Sequence, residues 1–527
     1  MSCPPLAFRG NRGHMGAFAG RRCCALVTSP RGPMTFTDLS HDHAPWDVDG
    51  DKLREECGIF GVIGTRDAAA MVALGLHALQ HRGQEAVGIT SFDGQEFYSR
   101  RGIGHVAQNF SSEQALAELP GATAAGHVRY STTGGSGLRN VQPLFADLAT
   151  GGFAIAHNGN ISNAMYLKRD LVRKGAIFQS TSDTEVIIHL VATSRYPTLL
   201  DRFVDALRLV EGAYSLICMT PAGMIACRDP LGIRPLVMGK IGDAVVFASE
   251  TVALDVVGAD FVREVDPGEL IRVAHDGAIE SHRPFGNTSA RPCIFEHVYF
   301  SRPDSLMGGR SVYQVRKAIG AQLAIESPAD ADLVIPVPDS GVPAALGYAQ
   351  QSGIPFELGI IRSHYVGRTF IQPSDGARHA DVKRKHNANR ALVEGKRIVL
   401  IDDSIVRGTT SMKIVQMMRD AGASEVHMRV ASPPTEHSCF YGVDTPERSK
   451  LLAARMNVPA MADFIQADSL AFVSIDGLYR AVGEAQRNNG CPQYCDACFT
   501  GDYPTRLTDV GDRDATDQLP LPVGKVA

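Results

Sequence analysis

The sequence has no long hydrophobic run, few cysteines and little net charge, and each absence excludes a class of protein. No stretch approaches the roughly 18 continuous apolar residues of a membrane span, so we expect no membrane contact. Eleven cysteines in 527 residues are too few for a disulfide-rich secreted scaffold. A net charge of -5 gives no overall attraction to nucleic acid. These absences predict a soluble protein, and we expect it in the cytoplasm.

Acidic residues are also missing from residues 1–33, which carry the five arginines Arg9, Arg12, Arg21, Arg22 and Arg31. Such a segment resembles an organelle transit peptide. The alternative, which we favour, is a start at Met34, because this residue begins a polar segment that runs directly into the first domain. No apolar core of a secretory signal is visible.

The chain is long enough for two domains, and its patterns change half-way along. The first half predicts many short strands with a few helices: strands Cys57–Ile63, Ile89–Phe92, Glu96–Tyr98, Phe153–Ala156, Tyr214–Met219, Met224–Cys227 and Ala244–Ala248, and helices Ala68–Leu79 and Thr184–Thr193. The second half alternates strands with helices, which is typical of a parallel sheet: Leu333–Ile335, Ala344–Gln350, Ile360-Ile361, Ile398–Ile401, Ser411–Ala421 and Val426–Val430.

A plausible linker containing Pro284, Gly286, Asn287 and Pro292 separates the two halves. We therefore expect a leader over residues 1–56, a first domain over 57–288, a second domain over 289–507, and a loose polar tail over 508–527.

Cys57 stands abruptly at the start of the first predicted strand. A thiol at a chain start can use its own α-amino group as general base, because that amine titrates near neutral pH. Taken alone, Cys57 is better read as a small buried residue of a strand. It is followed, however, by four ordered segments: His81-Arg82-Gly83-Gln84-Glu85, Gly126–Thr132, His157-Asn158-Gly159-Asn160 and Ser182-Asp183-Thr184-Glu185.

With these segments, residues 57–280 or so resemble the class II glutamine amidotransferases. The resemblance implies an N-terminal-nucleophile hydrolase fold, in which two stacked sheets lie between helices as an αββα sandwich. It implies that Cys57 attacks the glutamine amide and that Asn158 and the Gly159 N–H hold the oxyanion. Arg129 would bind the α-carboxylate of glutamine and Asp183 its α-ammonium, while Arg82 and Gly83 would shape the pocket.

Each of these residues also has an ordinary structural interpretation. Arg129 could form a surface ion pair, Asn158-Gly159 a turn, and Asp183 a helix N-cap, and the last of these is compatible with the functional role. If Cys57 does use its own amine, the chain must be cleaved between Glu56 and Cys57.

In the second half, the strand Ile398–Ile401 ends in the adjacent carboxylates of Asp402 and Asp403. A short loop rich in glycine and hydroxyl residues follows, and then a helix. Ligands of parallel sheets bind at the carboxyl ends of strands, and helix N-termini favour phosphate. Adjacent carboxylates suit sugar hydroxyls and hydrated Mg²⁺. Helix capping by Asp402-Asp403 is the alternative, but it leaves the Gly-Thr-Thr loop unexplained.

This segment resembles the signature of type I phosphoribosyltransferases, which bind phosphoribosyl pyrophosphate (PRPP) on a parallel sheet. The resemblance implies that Asp402 and Asp403 bind the ribose and Mg²⁺ and that the following loop holds the 5-phosphate: Ser404, Ile405, Val406, Arg407, Gly408, Thr409 and Thr410. Pro338-Asp339-Ser340-Gly341 resembles the pyrophosphate loop, with Ser340 near the metal, although this sequence is also a common turn.

The stretch from Tyr365 to Arg390, which includes Arg368, is irregular and basic. A nucleic-acid patch and a solvated charged loop are both open interpretations. The resemblance implies a flexible loop that closes over PRPP and excludes water.

Cys293, Cys439, Cys495 and Cys498 match the positions of [4Fe-4S] ligands in one branch of the resembling family. Four thiolates suit zinc as well as iron–sulfur, and Cys491 could replace Cys495 or be a free thiol.

Both halves together resemble the iron–sulfur-containing branch of the glutamine PRPP amidotransferases. The resemblance implies that glutamine supplies ammonia through the interior to PRPP, giving 5-phosphoribosylamine and pyrophosphate. It also implies Mg²⁺ and [4Fe-4S] as cofactors, feedback inhibition by purine nucleotides, and a homotetramer. Two other classes are alternatives: a different amidotransferase, such as glucosamine-6-phosphate synthase, and a non-catalytic nucleotide-sensing regulator. Asp402–Thr410 argues against the first, and Cys57 with Arg129, Asn158 and Asp183 against the second.

Overall fold

The computed structural model describes residues 54–55, 57–130, 137–286, 288–362 and 386–511. In the first half of the chain these residues form strands β1 to β14: Arg54–Glu55, Cys57–Ile63, Ala86–Phe92, Phe97–Ile103, Thr123–Arg129, Leu144–Leu148, Gly151–Ile161, Gly212–Thr220, Gly223–Arg228, Val237–Ile241, Ala244–Ala248, Asp260–Glu264, Leu270–Val273 and Ile279–His282. The helices there are Ala68–Ala78, Val106–Phe110, Glu113–Ala117, Ala164–Arg173, Thr184–Thr193, Leu199–Leu207 and Thr251–Val257, with a 3₁₀ turn at Leu138–Asn140.

Two antiparallel sheets build the first domain. One has the order β12-β10-β11-β2-β5-β3-β4, and the other β14-β13-β9-β8-β7-β6. Their inner faces share one core, in which Ile59 of β2 and Ile217 of β8 are both fully buried. The outer face of each sheet packs on helices, the first on Ala68–Ala78 and the second on Thr184–Thr193. The layers therefore run helix, sheet, sheet, helix, as the resemblance implies.

Strands β15 to β23 follow in the second half: Leu306–Met307, Arg310–Ser311, Leu333–Pro336, Ile360–Arg362, His386–Ala388, Arg397–Asp402, Glu425–Val430, Val443–Asp444 and Ser469–Phe472. The helices are Val312–Glu326, Val342–Ser352, Arg390–Val393, Thr409–Asp420, Leu452–Arg455, Val458–Ile465, Ile475–Ala481, Ala497–Thr500 and Thr508–Gly511, together with a π-helical turn at Glu296–Phe300 and a 3₁₀ turn at Arg448–Lys450.

A parallel sheet of order β17-β20-β21-β23 forms the centre of the second domain. Side chains of β20 alternate between its two faces: Val399 and Ile401 enter one core, and Ile398 and Leu400 enter the other. Helices Val312–Glu326 and Val342–Ser352 cover the first face, and helix Thr409–Asp420 covers the second.

One predicted strand of this sheet is misplaced. Ile360–Arg362 forms a strand, but it pairs antiparallel with His386–Ala388 in a separate two-stranded sheet. The edge of β17 is instead occupied by the preceding segment, where Val334 N donates to Pro355 O at 2.8 Å and Glu357 N donates to Val334 O at 3.0 Å. The prediction that this strand belongs to the parallel sheet is therefore wrong.

The predicted loose tail is also wrong at its beginning. Thr508–Gly511 is helical and lies against helix Ala164–Arg173 of the first domain, where both carboxylate oxygens of Asp509 accept backbone N–H bonds. Residues 512–527 lie outside the described residues, as do residues 1–53 of the leader. Among the described residues, no helix combines the length and the apolar character that crossing a membrane requires.

Candidate active sites

Cys57 is the first residue of β2, and the sheet places it directly beside Arg129. Its Cα is paired with that of Arg129 on the neighbouring β5, and both residues are buried. Gly83 lies against the same point, because a Cβ added to it would be 2.6 Å from Arg129 N. Three residues that are distant in sequence thus meet at one end of the first sheet. The buried position of Arg129 also excludes a surface ion pair.

Asn158 and Gly159 lie within β7 of the second sheet, so the interpretation of this pair as a turn is wrong. Ser249 connects the two sheets at this point. Its Oγ accepts a hydrogen bond from Asn158 Nδ2 at 3.3 Å and another from Ile59 N at 3.0 Å. The amide group of Asn158 is therefore held next to the beginning of β2, and since an NH₂ group has two donors, one remains for a ligand. Sequence reasoning missed Ser249, which belongs to no motif.

Gly159 has a backbone conformation that favours glycine. Its φ is +137°, and an added Cβ would be 2.1 Å from Ala213 O on the adjacent strand. Only a residue without a side chain fits this place without moving β8.

The position of Asp183 is compatible with both of its expected roles, as a helix N-cap and as the partner of the α-ammonium group of glutamine. As N-cap of helix Thr184–Thr193, it accepts Thr184 N at 2.9 Å, and it also accepts Ile161 N at 3.0 Å. These bonds fix the carboxylate beside the end of β7. Its side chain remains 13% exposed, which leaves room for a ligand.

Two buried histidines lie behind these residues. His127 Nε2 is 3.1 Å from His157 O, and His157 Nδ1 is 3.1 Å from Thr184 Oγ1 and 3.8 Å from Asp183 Oδ2. Burial lowers the pKa of His157, although Asp183 opposes the shift, and burial with the nearby Arg129 lowers the pKa of His127 to about 3. Both rings are therefore neutral near pH 7 and serve as hydrogen-bonding supports.

Arg82 is fully buried in an ion-pair network rather than open to a pocket. Its guanidinium donates to Glu250 and, at 2.7 Å, to Glu296, which also accepts from Arg234 at 2.8 Å. Burial alone would lower the pKa of Arg82, but the two carboxylates outweigh it and raise that pKa. Arg82 thus adjoins the site through its neighbour Gly83.

The second site lies at the carboxyl end of β20. Asp402 ends the strand, and both it and Asp403 are buried. Asp403 N donates to Asp402 Oδ1 at 3.0 Å, and Ser404 Oγ donates to Asp403 Oδ1 at 2.6 Å. The next helix begins at Thr409 with Gly408 in the N-cap position, so neither aspartate is its N-cap residue.

Gly408 supplies a left-handed backbone, with φ at +80°, immediately before helix Thr409–Asp420. Glycine has no side chain with which to cap the first N–H groups of the helix. The positive end of the helix dipole at this point suits a phosphate.

The loop after β17 reaches the same place. Val337 N donates to Ile401 O at 2.8 Å, and a Cβ added to Gly341 would be 2.4 Å from that oxygen. Ser340 therefore lies in a loop that adjoins the end of β20. Arg368 and most of the predicted flexible stretch fall within residues 363–385, outside the described residues.

Profiles of two domain families match the chain in the same order as the two sites. The glutamine amidotransferase domain matches residues 127–256, and the phosphoribosyl transferase domain matches residues 312–433. An amidophosphoribosyltransferase of Rhizobium etli is 59% identical over 479 residues, which are 90% of this chain and 97% of that protein. The chain belongs to the amidophosphoribosyltransferase family. The activity is the glutamine-dependent amidation of PRPP in purine biosynthesis.

Other amidophosphoribosyltransferases are similar over nearly their whole length. That of Bacillus subtilis is 48% identical over 86% of this chain and 95% of its own. A solved structure of the B. subtilis glutamine PRPP amidotransferase, complexed with ADP and GMP, has a TM-score of 0.81 at 47% identity and covers 86% of this chain and 98% of its own. Glutamine and PRPP are accordingly the substrates, and the phosphoribosyltransferase domain implies the use of Mg²⁺.

Within this amidophosphoribosyltransferase fold, four cysteines line one small cavity: Cys293, Cys439, Cys495 and Cys498. Ile233 and Arg234 of the first domain are also among its lining residues. Cys293 and Cys495 are held together by two backbone bonds, Cys495 N to Pro292 O at 2.9 Å and Ile294 N to Cys495 O at 3.1 Å. Cys491 is exposed and is not among the lining residues, so the structure brings together the set with Cys495.

Among the described residues, no group of three or more His, Cys, Asp or Glu side chains is placed to hold a metal ion. Burial raises the pKa of Cys293 to about 12 and the pKa values of Cys495 and Cys498 well above their usual range.

Proposed function

We propose that the first site is a glutaminase in which Cys57 is the nucleophile. Its thiolate attacks the side-chain amide carbon of glutamine, ammonia leaves, and water then hydrolyses the thioester to glutamate. The register that pairs Cys57 with Arg129, next to the amide of Asn158, is the observation that supports this assignment best. Asn158 and Gly159 N–H stabilise the oxyanion, an effect worth about 3–4 kcal/mol for one donor.

Arg129 and Asp183 orient glutamine in this proposal. Arg129 pairs with the α-carboxylate, which its planar fork matches, and Asp183 accepts the α-ammonium. Gly83 keeps Arg129 in place, since any larger residue would collide with its backbone.

At the second site, Asp402, Asp403 and Ser340 provide oxygen ligands for the ribose hydroxyls and Mg²⁺. The donor set fits the ion, because two buried carboxylates and a hydroxyl-bearing loop meet at one strand end. Mg²⁺ neutralises the pyrophosphate leaving group when bound. The segment from Ser404 to Thr410 holds the 5-phosphate, and Arg368 closes on PRPP. Ammonia then travels through the interior to C1 of the ribose.

Processing follows from the chemistry of Cys57. Only removal of residues 1–56 gives this cysteine a free α-amine as its base. We propose domains over residues 57–288 and 289–507 in the mature chain. Intact-mass measurement of fully active enzyme should find Cys57 at the N-terminus; full activity with Glu56 still attached would contradict the proposal.

The cavity cysteines are proposed to hold a [4Fe-4S] cluster. Four thiols from three distant segments share one buried space, and four cysteines are the usual ligands of such a cluster. The reaction transfers no electrons, so the role of the cluster is structural.

Iron, zinc and acid-labile sulfide analysis tests the cluster. Anaerobically purified protein should contain iron and sulfide in equal amounts, and Cys495→Ser should lose both while Cys491→Ser keeps them. Protein that contained zinc but no acid-labile sulfide would contradict the cluster and indicate a zinc site instead.

Regulation, assembly and location complete the proposal. The related B. subtilis enzyme was solved with ADP and GMP, which favours purine nucleotides as feedback inhibitors. We expect a homotetramer in the cytoplasm, although some relatives are chloroplastic.

One coupled assay tests both sites. Glutamate and pyrophosphate release are followed together, with and without PRPP and Mg²⁺. Cys57→Ala should abolish glutamine-dependent synthesis but keep synthesis from added ammonia, because only the first site is lost. Asp402→Asn should lower both. If Cys57→Ala lost glutamine-dependent and ammonia-dependent synthesis equally, the proposal that Cys57 releases ammonia from glutamine would be contradicted.

A further inference from the structure

A short segment of the second domain contacts the proposed oxyanion site of the first. Asn160 Nδ2 donates a hydrogen bond to Phe440 O at 2.9 Å, across 280 residues of sequence. Asn160 follows Gly159 directly in β7, so this bond fixes the peptide next to the proposed oxyanion donor.

Gly442 makes the closest approach. A Cβ added to it would be 3.0 Å from Gly159 Cα and 3.3 Å from Gly159 C. Its φ is +108°, a conformation that L side chains rarely adopt. Two glycines of different domains therefore meet backbone to backbone. A side chain at position 159 would collide with Ala213 O, and one at position 442 would press on the Gly159 backbone.

The segment is itself held firmly on its own domain. Tyr441 is buried, its N–H lies 3.3 Å from Cys439 Sγ, and its hydroxyl lies 3.0 Å from Thr505 Oγ1. Cys439 N donates to Thr445 Oγ1 at 2.7 Å. These bonds hold the segment Phe440–Gly442 in one position on the second domain.

We propose that Phe440–Gly442 is a positioning element of the glutaminase, which holds the Gly159 peptide in the conformation that receives the oxyanion. This rests on the proposed role of Asn158 and Gly159. The first domain supplies the nucleophile and the substrate ligands, and the second domain fixes the geometry of the donor. Oxyanion donors act only when they are fixed in advance, so a small displacement at Gly159 lowers the rate of the chemical step.

Gly442→Ala and Asn160→Ala test the contact from its two sides. Each should lower kcat of glutamine-dependent synthesis about 10- to 100-fold, part of what removal of an oxyanion donor costs. KM for glutamine should change little, because Arg129 and Asp183 are untouched. Synthesis from added ammonia should be unchanged, which also shows that the second domain is folded. The double variant should lose less than the product of the two single losses.

Gly94→Ala is the matched control for the backbone. Its φ is +103°, close to that of Gly442, but an added Cβ meets nothing within 4 Å. It should keep the ratio of glutamine-dependent to ammonia-dependent activity, so a lower ratio in Gly442→Ala reports the contact with Gly159.

Asn158→Ala distinguishes the positioning role of Phe440–Gly442 from the oxyanion role of Asn158 and Gly159. If it loses glutaminase activity while Gly442→Ala and Asn160→Ala keep it, the positioning role is wrong and the oxyanion role stands. If Asn158→Ala itself keeps full glutaminase activity, the oxyanion role fails. Equal loss of glutamine- and ammonia-dependent activity in Gly442→Ala would also overturn the proposal, since Gly442 would then serve only the fold of the second domain.

Discussion

His127 shows at the scale of one residue how the first site is sensitive to acid. Its ring is buried, Nε2 is bonded to His157 O, and its pKa is lowered to about 3 by burial and by Arg129. In the unfolded chain the pKa is close to 6.5. Between these two pKa values, His127 is protonated in the unfolded state but not in the folded state. The free energy of unfolding therefore falls as the pH falls from about 6.5 towards 3.

His127→Gln should remove this dependence, because glutamine keeps a donor and does not titrate. Below pH 6.5 the free energy of unfolding of the parent should fall more steeply than that of the variant, by up to about 1.4 kcal/mol per pH unit. Urea titrations at pH 7.5, 6.5 and 5.5 measure both slopes. Parallel slopes would show that His127 already takes up a proton in the folded protein.

At the scale of one element, Asp509 of helix Thr508–Gly511 caps a helix of the first domain. Helix Ala164–Arg173 has Asn163 as its N-cap, but the Asn163 side chain donates to Leu209 O instead. Asp509 replaces the missing cap by accepting Met165 N at 2.8 Å and Tyr166 N at 2.9 Å. A carboxylate also complements the positive end of the helix dipole.

Asp509→Ala should therefore cost about 1 kcal/mol of stability, the usual loss of an N-cap. Hydrogen exchange of the Met165 and Tyr166 amides should accelerate, while exchange in helix Thr184–Thr193 stays constant. Asp243→Ala, which removes an exposed carboxylate elsewhere in the first domain, is the control. Unchanged exchange at Met165 would show that the cap contributes nothing in solution.

Elements with strong local patterns were predictable, and those defined by distant contacts were not. Helix Thr184–Thr193 and strand Ala244–Ala248 have the predicted limits, because continuous apolar runs and clear turns mark them. Strand Ser469–Phe472 was not predicted, because its sequence is short and its strand conformation depends on pairing with Glu425–Val430. Ile360–Arg362 was assigned to the wrong sheet, because sequence does not show which segment takes the edge of β17.

The same limit applies to the candidate sites. Asp402 ends a strand and Asp403 follows it, as their motif predicts, and the four cavity cysteines come together. Ser249 and Glu296 were not predictable, since each acts through a partner far away in sequence: Ser249 Oγ bonds Ile59 N across 190 residues, and Glu296 bonds Arg82 across 214.

At the scale of the whole molecule, Glu296 ties the domains together. It begins the π-helical turn of the second domain and is fully buried between Arg82 and Arg234 of the first. The last turn of the same segment is held from the other side, where Arg316 donates to His297 O at 2.9 Å and to Ser301 O at 2.7 Å.

Glu296→Gln should leave two buried guanidinium groups with one fewer carboxylate. Removing one partner of a buried ion pair costs about 3–5 kcal/mol, so the melting temperature should fall clearly. Glu280→Gln, which breaks the exposed pair with Arg272, should have almost no effect. Equal melting temperatures of the two variants would contradict a stabilising role of the buried network.

The contact of Phe440–Gly442 with Gly159 also sets an order of events during synthesis. Phe440 leaves the ribosome 280 residues after Asn160, which corresponds to roughly 15–60 s at typical rates of translation. During that interval the first domain has its nucleophile but not its finished oxyanion site. The proposed contact therefore predicts that a chain still being made hydrolyses glutamine about 10- to 100-fold more slowly than the finished protein, so that most ammonia is released after the domain that consumes it has been built.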